Sequence, residues 1–258
     1  MKTKALVVLS GGQDSTVCLF IAKRHFDEVH AITFDYGQVH RIEIEAAKTV
    51  AEMAGVDSHE IVVVPDILKS TSPLTNNGKD LEKYNTFEQM SEIIGDRVEK
   101  TFVPMRNTLF LTIAANRAVA LGATTILTGI CQEDNANYSD TTESFRMTIE
   151  ASFNESLRNI MELVIKAPLM FLSKADTVRM AYTMPACWKA MAHTHTSYDG
   201  KYPPVDTNHS NVLRAQGFLE AGLPDPLVIR AWHEELMDLP NTPNYDPHLV
   251  QACLKEIV

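Results

Sequence analysis

The 258-residue chain is predicted to adopt an α/β fold, a three-layer doubly wound parallel sheet followed by an irregular and partly helical C-terminal extension. Two observations predict it. Short apolar runs rich in β-formers alternate with helix-length segments, as in consecutive βαβ units covered on both faces. The first run also ends on Ser10-Gly11-Gly12-Gln13-Asp14-Ser15, a Gly-rich join of strand to helix.

Residues 4–9 read as the first, buried strand, and residues 16–24, which contain no breaker, as the helix behind it. At the join, two glycines let the backbone turn sharply and approach a ligand closely. The polar residues after them can cap the helix, whose first N–H groups then face the loop. That is an anion cradle shaped for phosphate. No Gly-Lys-Ser/Thr ending follows, so it is not a Walker loop. A plain capped strand–helix turn would use the same residue types.

A second strand is expected at residues 28–34, then a loop, then a helix at 41–54 stopped by Gly55. The run 60–64 is the third strand and ends at Pro65. From residue 66 to 101 the periodicity is lost, apart from a short helix near 87–94; so long an insertion reads as a lid or a partner surface. Order resumes with a helix at 108–121, a strand at 124–127 leaving through Thr128-Gly129, a helix at 143–162 and a strand at 163–165. Ser173, three residues before Asp176, caps a helix reaching about residue 182. Beyond Met184 the chain is rich in Pro, His and Asn before a final helical tail. Residues 1–183 therefore read as a nucleotide-binding core and 184–258 as an extension packed on it, one structural domain in all.

Composition narrows the function. The apolar share of 45% and the mixed charges suit a water-soluble globular protein, and no run reaches membrane-spanning length. A net charge of −10 argues against direct nucleic-acid binding. Cys18, Cys131, Cys187 and Cys253 are scattered, which excludes a disulfide framework and suits a reducing cytoplasm.

Right-handed crossovers bring the loops after the strands to one edge, where α/β folds bind ligands. After the second strand, Phe34-Asp35-Tyr36-Gly37-Gln38 precedes His40 and Arg41. Arg41 suits a phosphate or a developing oxyanion, or equally a solvated cation at a helix start. Arg106, in Phe102-Val103-Pro104-Met105-Arg106-Asn107, has the same two readings. After the fourth strand come Gln132-Glu133-Asp134 and Tyr138-Ser139-Asp140. A carboxylate at Glu133 or Asp140 can accept from both the ring N–H and the amine of a guanine-type edge, although a solvated acidic loop looks the same.

Ser10 to Ser15 resembles the pyrophosphate loop of the ATP pyrophosphatases, the adenine nucleotide alpha hydrolase-like fold. Taken with Phe-Asp-Tyr-Gly-Gln and His40-Arg41, Phe-Val-Pro with Arg-Asn, Tyr138-x-Asp140, Pro168-Leu169-Met170 with Lys174, and Leu213-Arg214-Ala215-x-Gly217, the chain closely resembles the 7-cyano-7-deazaguanine synthase family over residues 3–225. The resemblance implies an ATP-dependent carbon–nitrogen ligase acting on 7-carboxy-7-deazaguanine. In that family the carboxylate is adenylated, ammonia displaces AMP to give an amide, and a second ATP dehydrates the amide to a nitrile, with Mg²⁺ shielding the polyphosphate. Carried across, Ser10, Gly11, Gly12, Gln13, Asp14 and Ser15 with Phe34, Thr128 and Gly129 look like ATP contacts. Asp14, Ser15, Arg41, Arg106 and Lys174 look like the catalytic set, and Tyr36, Gln38, Glu133, Tyr138 and Asp140 like the base-recognition set.

Two departures stand out. The family's structural zinc is held by four cysteines, and three of those positions here hold Val205, Asn208 and Asn211, with Cys187 as a relic of the fourth. His193, His195 and His209 match no zinc spacing, so no zinc is expected. Residues 186–211 are then held by packing, at the contact of an expected homodimer. The second departure is Met105, where the family has glycine. Two other functional classes compete with the synthase. One is a relative that joins the activated deazaguanine to an amine of a partner protein, as in anti-phage operons. The other is a nucleotide-binding regulator without catalysis, which the intact loop disfavours.

Overall fold

The computed structural model describes residues 2–38, 41–64, 67–75, 80–132 and 136–258. Five parallel strands, β1 (Lys4–Val8), β2 (Glu28–Asp35), β3 (Ser58–Val63), β4 (Thr125–Leu127) and β5 (Val164–Lys166), lie in the order β3-β2-β1-β4-β5. The period of two along β1 sorts its side chains between two cores. Ala5, Val7 and Leu9 enter one cluster, and Leu6 with Val8 the other. On the first face pack α1 (Gln13–His25) and α2 (Ile42–Ala54), which make the crossovers to β2 and β3. On the second pack α4 (Arg106–Leu121) and α5 (Glu143–Ser156). The chain leaves β1 toward β2 on one side and returns to pair β4 on the other, so a crevice opens beyond the C-terminal end of β1.

The expected helix near residue 87 is α3 (Phe87–Ile94), and its Thr86 side chain accepts from Gln89 N. Three helices differ from the expected bounds, and the first of them, α1, begins at Gln13 rather than residue 16. α4 begins at Arg106, because Met105 in the left-handed region supplies the turn into it. α5 stops at Ser156 rather than residue 162, and Asn159, at φ 66°, lies in the turns that follow.

The extension is more regular than its composition suggests. After α6 (Lys174–Tyr182) come four helices: α7 (Pro185–Met191), α8 (His209–Ala221), α9 (Pro226–His233) and α10 (Pro247–Ile257). Three of them begin on a proline, because a first-turn residue needs no intrahelical N–H bond. Their Cys187, Trp188, Phe218, Ile229 and Val250 share one buried cluster with Val17 and Leu19 of α1. The insertion is tied to the same region, since Tyr84, Met90 and Ile94 pack with Leu213 of α8. At the joint, Arg214 of α8 makes two bonds to Asp225, 2.6 and 2.7 Å long, with both side chains 4% exposed. Asp225 also caps α9 through Leu227 N. None of the four cysteines is in a disulfide, and all four are buried. Among the described residues no helix is long and apolar enough to cross a membrane.

Candidate active site

The Gly-rich join folds as a loop braced by its own hydroxyls. Ser15 Oγ accepts from Ser10 N at 3.1 Å, donates to Gly12 O at 3.1 Å and lies 3.0 Å from Ser10 Oγ. Thr16 Oγ1 donates to the same Gly12 carbonyl. Gly11 has φ +83°, and a β-carbon there would sit 2.3 Å from Glu43 O, so only glycine lets the loop rest against α2. Gly12, the cap residue of α1, supplies no side-chain acceptor, which leaves the first-turn N–H groups directed at whatever occupies the loop. With the helix dipole behind them, these groups form an anion site. Asp14 would oppose an anion by itself, but Lys174 Nζ, from the first turn of α6, donates to Asp14 Oδ2 at 2.9 Å. Gly217 allows that approach, since a β-carbon on it would lie 2.6 Å from Lys174 Cγ.

The loop forms one wall of a cavity of about 290 Å³. Of the residues expected at the site, Ser10, Gly12, Gln13, Asp14, Ser15, Thr128, Gly129, Lys174, Tyr36, Arg106 and Tyr138 line it. Gly129 seals its floor, because a β-carbon there would lie 2.9 Å from Ser15 N. The opposite wall is built on α4, where Arg106 and Phe110 face the cavity. Burial alone would lower the pKa of Arg106, yet Tyr36, Tyr198, Tyr138 and Asp140 around it raise it, so the guanidinium stays charged. Burial likewise pushes the Tyr36 and Tyr138 phenols up, leaving neutral rings with hydroxyls to donate.

Four expected residues stand behind the wall. Phe34 stacks on Phe110 with ring centroids 4.2 Å apart, and Gln38 Oε1 accepts from Tyr36 N at 3.0 Å. Gly11 sits under the loop. Asp140 is buried beneath Arg106, with its Oδ2 and carbonyl accepting from Asn107, so it braces the start of α4 rather than lining the cavity. Arg41 lies off the cavity. Its guanidinium is paired with Asp35, and its side chain is 68% exposed. Glu133 and His40 lie outside the described residues.

The structure adds residues that sequence reasoning did not place. Glu43, in the first turn of α2, faces the cavity; burial pushes its carboxyl up to about 7, against the pull of Arg106. From the extension come His195, Thr196, Tyr198 and Arg214. His195 N donates to Gly11 O at 2.9 Å, and its Nε2 lies 2.6 Å from Ser197 O, so the extension grips the loop directly. His209 also lines the cavity, whereas His193 pairs with Arg230.

The zinc positions do not fit a zinc ion. Val205 is exposed, while the Asn208 and Asn211 amides both donate to Ser197 Oγ, at 3.0 and 2.9 Å. Cys187 is packed in the apolar core, where burial pushes its thiol up to about 12, away from the thiolate that zinc needs. Among the described residues no three His, Cys, Asp or Glu side chains converge as a metal site.

Comparison with known proteins gives a consistent relationship. The family model of queuosine biosynthesis protein QueC matches residues 4–222. The chain is 46% identical over 230 residues to a 7-cyano-7-deazaguanine synthase of Laribacter hongkongensis, covering 88% of this chain and 94% of that protein. It is 41% identical over 227 residues to a 7-cyano-7-deazaguanine synthase of Gloeobacter violaceus, covering 87% and 95%. Among solved structures it resembles a 4-thiouridine synthetase in complex with RNA and ATP, at 16% identity and a TM-score of 0.47, covering 98% of this chain and 53% of that one. A predicted tRNA methyltransferase subunit from Methanocaldococcus jannaschii gives 16% identity and a TM-score of 0.42, covering 70% and 74%.

Proposed function

The chain belongs to the queuosine biosynthesis protein QueC family, and from that premise we propose that it is an ATP-dependent ligase that converts 7-carboxy-7-deazaguanine to 7-cyano-7-deazaguanine. The observation that carries this reading is one cavity shared by an anion-binding loop, Lys174, Arg106 and an aromatic wall. The loop and the N-terminus of α1 would hold the β- and γ-phosphates of ATP, with Mg²⁺ shielding their charge. Lys174 and Arg106 enter from opposite sides and would stabilise the charge that develops as the substrate carboxylate attacks the α-phosphorus and pyrophosphate leaves. Arg41, held by Asp35 outside the cavity, has no such position. Tyr36, Tyr138 and Phe110 offer ring faces for a planar deazaguanine. Ammonia would then displace AMP from the acyl-adenylate. A second adenylation, on the amide oxygen, would let AMP leave with that oxygen as the nitrogen loses its protons, giving the nitrile.

The test is incubation with ATP, Mg²⁺, the deazaguanine acid and ammonium, followed by mass spectrometry. The cyano product is expected. An amide with no nitrile, together with a base-sized mass gain on a co-incubated protein encoded nearby, would overturn the synthase reading in favour of protein conjugation. Lys174→Ala removes one charged donor and should slow acid-dependent pyrophosphate release about 100-fold; an undiminished rate would mean the ATP phosphates bind elsewhere.

A further inference from the structure

Amination of an acyl-adenylate needs a nucleophile with a free lone pair, and at neutral pH ammonia exists almost entirely as ammonium. A site that uses ammonium must bind a small cation and remove a proton from it. Two carboxylates among the described residues line the cavity, Asp14 and Glu43. Asp14 is held by Lys174. Among the described residues, burial raises and the charge of Arg106 lowers the pKa of Glu43, and its carboxylate has no hydrogen-bond partner. Its place is nonetheless fixed, because its own carbonyl is the atom against which Gly11 of the phosphate loop is pressed. The Glu43 carboxylate therefore enters the cavity from α2, with Arg106 of α4 and Tyr36 beside it.

We propose that Glu43 is the catalytic base of the amination step, binding ammonium and taking its proton as the acyl-adenylate is attacked. This inference rests on the synthase reading. One N–H bond of ammonium breaks and its proton passes to the Glu43 carboxylate. The freed lone pair forms the C–N bond at the acyl carbon, and the C–O bond to AMP breaks with its electron pair leaving on the AMP phosphate. The second proton is lost from the new amide nitrogen to water. Arg106, next to the base, faces the oxygen of the tetrahedral intermediate, so proton removal and oxyanion stabilisation sit side by side. The buried setting that lifts this carboxyl to about 7 suits it to accept a proton near neutrality. His195, another titratable side chain in the cavity, is committed through Nε2 to the Ser197 carbonyl.

The experiment compares two nucleophiles on the same enzyme. Hydroxylamine is largely unprotonated at pH 7.5 and needs no base to attack, so it traps the acyl-adenylate as a hydroxamate. In Glu43→Gln the ratio of amide plus nitrile to hydroxamate should fall by about 100-fold relative to the parent enzyme, within the range of general-base contributions. An unchanged ratio would overturn the proposal. If Glu43→Gln fails to fold or forms no adenylate, Glu43→Asp decides: its KM for ammonium should rise about tenfold and that for hydroxylamine should not. Equal changes in both would also overturn it. A parent enzyme that releases no pyrophosphate in response to the deazaguanine acid would instead refute the synthase reading, which keeps the two failures apart.

Discussion

Met105 holds φ at 64° immediately before Arg106, and its side chain is 63% exposed. A β-carbon in the left-handed region costs about 1–2 kcal/mol, and so exposed a side chain recovers little of it by packing. Glycine would relieve that strain but lose about 0.5–1 kcal/mol to the greater freedom of the unfolded chain. Met105→Gly should therefore stabilise the protein by about 1 kcal/mol, seen as a higher urea midpoint at unchanged slope. A lower midpoint would show that the Met105 side chain packs more usefully than its exposure indicates. At this scale the sequence was legible where a residue acts within its own loop. Ser10, Ser15 and the glycines between them carry their function in local spacing. Glu43 was not legible, because a glutamate in the first turn of a helix is ordinary dipole compensation and nothing nearby in sequence signals a cavity. Arg41 had two readings, and the choice between them depended on Asp35 being within reach.

Among the elements, the turn that leads into α8 is held by a network of side-chain amides and hydroxyls. The Asn208 side chain caps α8 by accepting from Asn211 N, and both asparagine amides converge on Ser197 Oγ. Ser210 Oγ donates to Thr196 O, tying the helix start to the strand-like segment that grips the phosphate loop. Asn208→Ala removes the cap and a buried donor, and it should cost about 1–2 kcal/mol. The same network needs no metal, so overnight chelation with EDTA should leave the melting temperature unchanged; a fall of several degrees, with one zinc per chain in the removed metal, would restore the histidines as ligands. The alternation of strand and helix up to β5 was legible because its period is written in side chains that face two cores. The four helices after α6 were partly hidden. The segment is rich in Pro, His and Asn, and α7 and α9 are too short to show a period.

For the whole molecule, the question is whether residues 184–258 are an appendage or part of the unit that folds. The large cluster joins α1, α2 and three sheet strands to α7, α8, α9 and α10, and Trp188 is fully inside it. His195 bonds to the loop backbone, and the buried Arg214–Asp225 pair ties α8 to α9 within the extension. The sheet face under α1 and α2 shares its apolar cluster with the extension, so local unfolding of the extension would expose that face. The two tryptophans, Trp188 and Trp232, both lie in the extension, which makes fluorescence a reporter for that region alone. Far-ultraviolet circular dichroism reports the helices of the whole chain. In urea the two transitions should coincide in midpoint and slope, as a single cooperative unit requires. A fluorescence transition at lower urea than the dichroism would show that the extension opens first, and that the phosphate loop can exist without the residues that grip it.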